Sequence, residues 1–201
     1  MKKPSDWDST NAFTGETSAQ LPKGGYVLKI KAAKVENTDY GERLHLLFDI
    51  EEGEYKDYVN TQFTEKKAKS DKPKEVKWPA CGRYSQYILK KDGKTNAFFK
   101  GLITCIENSN PSYKFDFDEN SLVGKLVGGL FAIRQFRGND GKVINLVEMR
   151  QPRSVDVIRS GDYELPADEL LSEPQKNYAA AGTPKFEEVE DDEDEDLSLP
   201  F

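Results

Sequence analysis

Basic and aromatic side chains recur together along most of this chain. Lysine and arginine neutralise phosphates, and aromatic rings offer flat surfaces on which bases stack, at roughly 1 to 3 kcal/mol per base. The combination predicts an interface for single-stranded DNA that does not depend on base sequence. Its candidate residues are Lys29, Lys31, Arg43, Tyr55, Tyr58, Lys66, Lys67, Lys69, Lys72, Trp78, Arg134, Phe136 and Arg137.

Each of these candidates has a plain structural alternative. An aromatic side chain also fills a protein core, although Tyr and Trp tend to keep a polar tip in water. Residues 65–77 contain six lysines against three acids. They show no periodicity and contain a proline, so they predict a mobile basic loop that ends in an exposed or half-exposed Trp78. The alternative for this loop is a solvated, flexible insertion.

The last fifteen residues have a different character. Nine of them are acidic and none is basic, and the stretch ends in an apolar hook, residues 197–201. High like charge with little to bury predicts an extended, disordered segment. The hook, the terminal carboxylate and the acids suit a basic, partly apolar pocket on a partner. We predict partner contacts at Asp194, Asp196, Leu199, Pro200 and Phe201, with a solvated solubility tail as the alternative.

The charge is divided between these two parts. The formal net charge is −7, but residues 1–186 carry 29 basic and 27 acidic residues. A mildly basic body with an acidic tail is expected where the body meets phosphates. No apolar run approaches the roughly 20 residues of a membrane span, and no apolar segment follows the N-terminal lysines. We therefore expect a cytoplasmic protein, in the bacterial host if it is phage-encoded.

The residues for catalysis are few. His45 is the only histidine and falls within a predicted strand, which disfavours most acid-base and nucleophilic arrangements. Cys81 and Cys105 with one histidine do not make a structural zinc site, and we expect both thiols to be reduced. No glycine-rich phosphate loop has the required spacing. We predict a protein that is not an enzyme and needs no cofactor.

Alternating apolar residues predict strands at 26–35, 43–51 and 55–63, joined by short turns. Helices are predicted at 83–91 and at 95–107, the second capped by Thr95 or Asn96. Further strands are predicted at 123–136, where Gly128 and Gly129 permit a bulge, and from 142 to about 149. A hairpin turn at 138–141 joins these last two strands.

This order of elements is typical of the OB-fold, a five-stranded Greek-key barrel that often binds oligonucleotides. We predict a mainly β protein with a helical insertion. Its parts are an N-terminal arm (1–22), an OB-fold domain (23–160), a flexible linker (161–186) and an acidic interaction tail (187–201).

Two resemblances point the same way. The acids followed by Leu199, Pro200 and Phe201 resemble the tip of bacterial single-stranded DNA-binding proteins, which recruits replication and repair enzymes. The body is similar to small phage-encoded proteins thought to bind single-stranded DNA. This second resemblance lies in residues 21–26, 47–50 with 54–55, and 124–125 through 138–141 to 155 and 158.

The resemblances imply a protein that coats single-stranded DNA in phage or bacterial replication, recombination or repair. The implied partners are proteins such as a polymerase, helicase, primase or recombinase. One alternative is an adaptor or inhibitor whose acidic tail mimics DNA, and another is a recombination mediator or annealing protein. The oligomeric state stays open, although homo-oligomers are common among such proteins.

Overall fold

A computed structural model describes residues 20–138 and 141–171, and all structural statements below refer to them. The five strands are β1 (Gly24–Thr38), β2 (Gly41–Ile50), β3 (Arg83–Tyr87), β4 (Leu126–Arg137) and β5 (Val143–Arg153). The three helices are α1 (Tyr58–Lys69), α2 (Ala97–Ser109) and α3 (Val155–Ser160). Most of the predicted arm and all five predicted tail residues, Asp194, Asp196, Leu199, Pro200 and Phe201, lie outside the described residues.

The strands form one antiparallel sheet in the order β3-β2-β1-β4-β5. The prediction of a mainly β protein with five strands is confirmed. Strand β1 is central because it is long enough to pair with β4 along its first half and with β2 along most of its length. Strands β3 and β5 approach each other. No hydrogen-bonded ladder joins them in the described part of the chain, so barrel closure stays a prediction.

One face of the sheet, which we call the core face, packs against α2. Alternate residues of β1 and β2 point to this face, and Phe99, Leu102 and Ile106 of α2 cover it. Asn110 ties the end of α2 to the start of β4, because its side chain both donates to and accepts from the backbone of Leu126. None of the described helices is long and apolar enough to cross a membrane.

The predicted strand at 55–63 is wrong, because residues 58–69 form helix α1. Two features of the local chain explain the difference. Asp57 adopts a left-handed conformation with φ 58° and ends the extended path. The Asp49 carboxylate, on β2, accepts hydrogen bonds from the backbone N–H groups of Val59 and Asn60 in the first turn of α1. A cap supplied from another element leaves no local sequence signal.

The predicted helix at 83–91 is also wrong, since residues 83–87 form β3 on the edge of β2. Its inward side chains are those of Tyr84 and Gln86, opposite Leu46 and Leu44. The second predicted helix is confirmed as α2, with the Asn96 side chain accepting from the Phe98 N–H at its start.

The two glycines of β4 serve close packing. A Cβ on Gly128 would lie 2.5 Å from Ile158 Cγ1, so its absence lets α3 pack on the strand. A Cβ on Gly129 would lie 2.7 Å from Leu28 Cδ1 on β1. The bulge falls one step later, where the register between β4 and β5 shifts at Leu130 and Phe131.

After α3, residues 162–171 form an extended segment that we call the strap. It runs beside β4, where Glu169 exchanges backbone hydrogen bonds with Ile133 and Gln135. The sequence assigned these residues to a flexible linker beginning at 161. They are instead bound to the sheet, and residues 172–186 of that linker lie outside the described part.

Candidate functional site

The face of the sheet opposite the core face, which we call the outer face, carries two cross-strand rows of polar side chains. One row is Lys34, His45 and Ser85, on β1, β2 and β3. The next row is Glu36, Arg43 and Tyr87 on the same strands. Residues opposite each other in an antiparallel ladder share a face, so the six side chains form one patch. We call it the cross-strand patch.

Within this patch a cation lies over an aromatic ring. The Arg43 guanidinium carbon is 5.3 Å from the centre of the Tyr87 ring, which is a cation–π contact. Arg43 Nε is covered by protein atoms and has no hydrogen-bond partner among the described residues. A covered donor without an acceptor is costly, and a bound water or ion is one way to satisfy it. Arg43 lies on β2, with Tyr87 of β3 as its ring partner.

His45 is held in place by the strands on either side of it. Ser85 Oγ lies 2.8 Å from His45 Nδ1, and Glu36 Oε2 lies 3.2 Å from His45 Nε2. A hydroxyl, an imidazole and a carboxylate are also the groups of a nucleophilic triad, but there the hydroxyl bonds Nε2 and the acid bonds Nδ1. Here the two contacts are reversed. The arrangement fixes the ring within the patch and links three strands.

Lys29 and Lys31 lie along β1 near the start of α1. Lys29 Nζ is 3.4 Å from Glu51 Oε1, so its charge is partly matched. Lys31 is exposed and occupies the point where the register between β1 and β2 shifts. Its positive charge lowers the pKa of Asp49, against the larger opposite effect of burial.

The predicted mobile loop is in fact ordered for much of its length. Lys66, Lys67 and Lys69 belong to the last turns of α1, where cations favour the helix dipole, and Lys72 precedes a short 3-10 turn. All four are exposed. Lys69 pairs with Glu65 and Lys72 with Glu75, while Lys67 Nζ lies 5.6 Å from the centre of the Phe63 ring. These lysines form a solvated, positively charged end of the helix.

Trp78 is not an exposed indole, and this prediction is wrong. The residue is 6% exposed and packs with Leu47, Val59 and Cys81 on the outer face. Its Nε1 donates to the backbone oxygen of Phe48 at 3.2 Å. A base cannot stack on this ring while the packing is intact.

Tyr55 and Tyr58 are half-buried at the edge of the core. Their rings lie edge to face, with centroids 6.2 Å apart, and Tyr26 contacts Tyr55 in the same way at 6.0 Å. Burial raises the pKa of Tyr58, and burial together with the neighbouring tyrosines raises that of Tyr26 to about 12. Core packing, the alternative given above, describes these two residues better than an open stacking surface.

Three candidates lie in the C-terminal half of β4, in the hairpin with β5: Arg134, Phe136 and Arg137. Arg137 is exposed, and Arg134 and Phe136 are half-buried. Leu146 of β5 packs against the Trp78 cluster, as does Phe63 of α1. The hairpin and the lysine-rich helix thus border one cluster.

Sequence reasoning missed Tyr87 as a site residue because it assigned residues 83–91 to a helix. It also passed over Tyr40, which is exposed at the turn between β1 and β2. The five residues of β3 show no alternation of apolar and polar side chains, so the local sequence offered no signal for a strand.

The thiols of the two cysteines are not activated for chemistry. Burial raises the pKa of Cys81 to about 11 and also raises that of Cys105, so both thiols are poor nucleophiles. Both cysteines are free. No group of three or more metal-binding side chains lies together within residues 20–138 and 141–171.

Comparison with protein families and with curated proteins finds no match.

Proposed function

We propose that this protein binds single-stranded DNA without sequence specificity, through an OB-type body. The observation that carries the proposal is the stacked pair of Arg43 and Tyr87 on an outer sheet face, with Lys34 and His45 beside it. Such a pair offers a charge for a phosphate and a flat ring for a base in one place. Tyr40, exposed at the β1–β2 turn, supplies a further ring at the end of the same strands.

The fold supports the proposal at a coarser level. A five-stranded antiparallel sheet with a helix between its third and fourth strands suits an OB-fold, in which β3 and β5 would complete a barrel. OB-folds bind oligonucleotides on the face of their second and third strands, and four of the six residues of the cross-strand patch belong to β2 and β3. Fold alone does not fix function, so the proposal depends on the residues of the patch.

The proposed role is to coat single-stranded DNA in phage or bacterial replication, recombination or repair. The acidic tail would recruit a protein such as a polymerase, helicase, primase or recombinase through Leu199, Pro200 and Phe201. This part depends on sequence alone. The adaptor or inhibitor alternative requires that residues 1–186 have no affinity for oligonucleotides, whereas a recombination mediator would also anneal complementary strands.

The test is the affinity for an end-labelled oligo-dT of about 20 nucleotides, which exceeds the roughly 4 to 16 that one OB-fold covers. Tyr87→Ala should weaken binding roughly 5- to 150-fold, the equivalent of one lost stacking contact. Tyr87→Phe should retain affinity, because it keeps the ring. Arg43→Gln should also weaken binding and reduce its salt dependence.

The matched control is Lys125→Gln. Lys125 also lies over a tyrosine ring, 4.5 Å from the centre of Tyr113, but it precedes β4 and is not one of the six residues of the patch. Equal effects of Arg43→Gln and Lys125→Gln would mean that only overall charge matters. Binding by Tyr87→Ala as tight as by the natural protein would refute the patch as the interface.

A further inference from the structure

The strap places two carboxylates on two cations of the body. Asp168 Oδ2 lies 2.8 Å from Lys23 Nζ, just before β1. Glu169 contacts the guanidinium of Arg150, on β5, which Glu148 also contacts at 2.8 Å. Partial burial disfavours the charge on Arg150, but Glu148 and Glu169 outweigh this effect and raise its pKa. Two consecutive strap residues thus each place a carboxylate on a cation of the body: Asp168 on Lys23 and Glu169 on Arg150.

These contacts are accessible to solvent. The side chains of Lys23 and Asp168 are 42% and 24% exposed, and those of Arg150 and Glu169 are 32% and 51% exposed. Exposed ion pairs contribute little to stability and are screened by salt. Another anion can therefore compete for Lys23 and Arg150 at small cost.

The second part of the strap, residues 165–171, which we call its tip, makes few apolar contacts. Leu165, Leu170 and Leu171 are all exposed, so hydrogen bonds and ion pairs hold this part of the segment. Glu169 makes two backbone hydrogen bonds to β4, the Leu171 N–H donates to the Gln135 side chain, and the Asp168 carboxylate accepts from the Ile133 N–H. Release of the tip would leave an unpaired stretch of β4, take the carboxylate away from Lys23, and leave Arg150 with Glu148 alone.

The base of the strap is fixed more firmly. Tyr163 accepts a hydrogen bond from the Gly25 N–H at 3.2 Å, and its ring fills the space where a side chain on Gly25 would stand, 2.6 Å from a built Cβ. The tip can therefore move away while Tyr163 keeps the segment attached near the start of β1.

The strap also changes the charge of the body. The described residues carry 25 basic and 22 acidic residues, and four of these acids with none of the bases are in the strap. Without the strap, the excess of basic residues over acidic ones would rise from three to seven. A segment of this charge repels the phosphates that the rest of the body attracts.

We propose that Lys23 and Arg150 form a second phosphate-binding site, at which Asp168 and Glu169 stand in for two backbone phosphates until single-stranded DNA displaces them. This inference rests on the proposed function and extends it from the cross-strand patch to the β4 side of the sheet. The exchange is of one anion for another, so it needs no rearrangement of the core.

The experiment compares two double variants of the full chain with equal changes of charge. Asp168→Asn with Glu169→Gln removes the two stand-in carboxylates. Asp162→Asn with Glu164→Gln is the control, because these strap acids make no described ion pair. Binding of end-labelled oligo-dT should tighten roughly 3- to 10-fold in the first variant and much less in the control. An equal effect in both would overturn the proposal.

Salt dependence gives a second measurement on the same variants. In the natural protein, the displaced carboxylates of Asp168 and Glu169 attract cations as the bound phosphates release theirs, so the net release of ions is small. In the Asp168→Asn, Glu169→Gln variant no carboxylate is displaced, so the cations that leave the phosphates at Lys23 and Arg150 are released in full. The slope of log affinity against log salt should then be steeper by up to about 1.4, at about 0.7 per phosphate for single strands. An unchanged slope would count against the site.

A third variant shows whether the gain depends on the two cations. Adding Lys23→Gln and Arg150→Gln to the strap-neutral variant should abolish the gain, whereas its persistence would overturn the proposal. Binding by the natural protein with no selective strap effect refutes the second site alone. No binding by any variant refutes both the site and the proposed function. Circular dichroism melting curves confirm that each variant is folded.

Discussion

Asp49 shows how one buried carboxylate can join two elements. It is 1% exposed, and it accepts hydrogen bonds from the backbone N–H groups of Ile50, Val59 and Asn60. Burial raises the pKa of this carboxyl group, and the three N–H groups act in the opposite direction. Because the carboxylate is enclosed at the start of α1, it is not available to repel a phosphate on the outer face, although it lies on the same strand as Arg43.

The pKa of Asp168 is lowered, whereas that of Asp49 is raised, and this shift gives a pH-dependent prediction for the strap. The Lys23 ammonium and the Ile133 N–H lower the pKa of Asp168 below its ordinary value of 3.8. A lowered pKa means that docking gains stability above the ordinary value and loses it as pH falls through the lowered one. We expect the NMR shift of the Ile133 amide to titrate with a midpoint below 3.8.

Lys23→Gln is the control for this titration. It removes the first of the two causes, so the midpoint should move up toward the ordinary value. A midpoint at or above 3.8 in the natural protein would mean that Asp168 is not held by Lys23 in solution.

At the scale of elements, periodicity predicted what local sequence determines. Strands β1, β2, β4 and β5 and helix α2 were all predicted because their apolar residues alternate or repeat at helical spacing. Helix α1 was missed because its cap comes from Asp49 in another strand. Strand β3 was missed because it is only five residues long and has no apolar alternation to mark it. Trp78 was predicted to be exposed because α1, which supplies part of its pocket, was not predicted.

The contact between α1 and the sheet depends on a glycine. A Cβ on Gly82 would lie 2.4 Å from Val59 Cγ1, 2.5 Å from Trp78 Nε1 and 3.0 Å from the Phe48 oxygen. Gly82→Ala should lower the free energy of unfolding by about 1 to 3 kcal/mol through overpacking. Urea denaturation followed by circular dichroism measures the change.

Gly101→Ala provides a matched comparison. Gly101 lies within α2, and a Cβ built there meets nothing within 4 Å. This substitution should stabilise the protein by roughly 0.5 to 1 kcal/mol, because alanine favours a helix. A Gly82→Ala variant as stable as the natural protein would show that α1 and the turn at residues 80–82 do not pack closely.

At the scale of the whole molecule, sequence and structure account for different parts of the proposed site. The sequence predicted a basic, aromatic body and included Arg43 among thirteen candidate residues. It did not predict that Arg43 stacks on Tyr87, because that contact requires the register between β2 and β3. Nor did it predict the strap, whose ion pairs join Asp168 to Lys23 across 145 residues.

The charge division also predicts an effect of the tail on DNA binding. Removing residues 187–201 takes away nine acids, so affinity for oligo-dT at low salt should be equal or higher. The difference should shrink as salt screens the charges. Phe201→Ala keeps every acid and should leave DNA affinity unchanged. Loss of DNA binding on deletion would show that the tail belongs to the interface.

The enclosure of Trp78 determines what this residue can report in solution. Its indole is packed by Phe63 of α1 and by Cys81, and it is hydrogen-bonded to β2. In a Trp7→Phe background, intrinsic emission would come from this ring alone. A red shift in that emission would then mark the detachment of α1 from the sheet. The fluorescence of Trp78 therefore reports whether α1 is packed on the sheet, with or without DNA present.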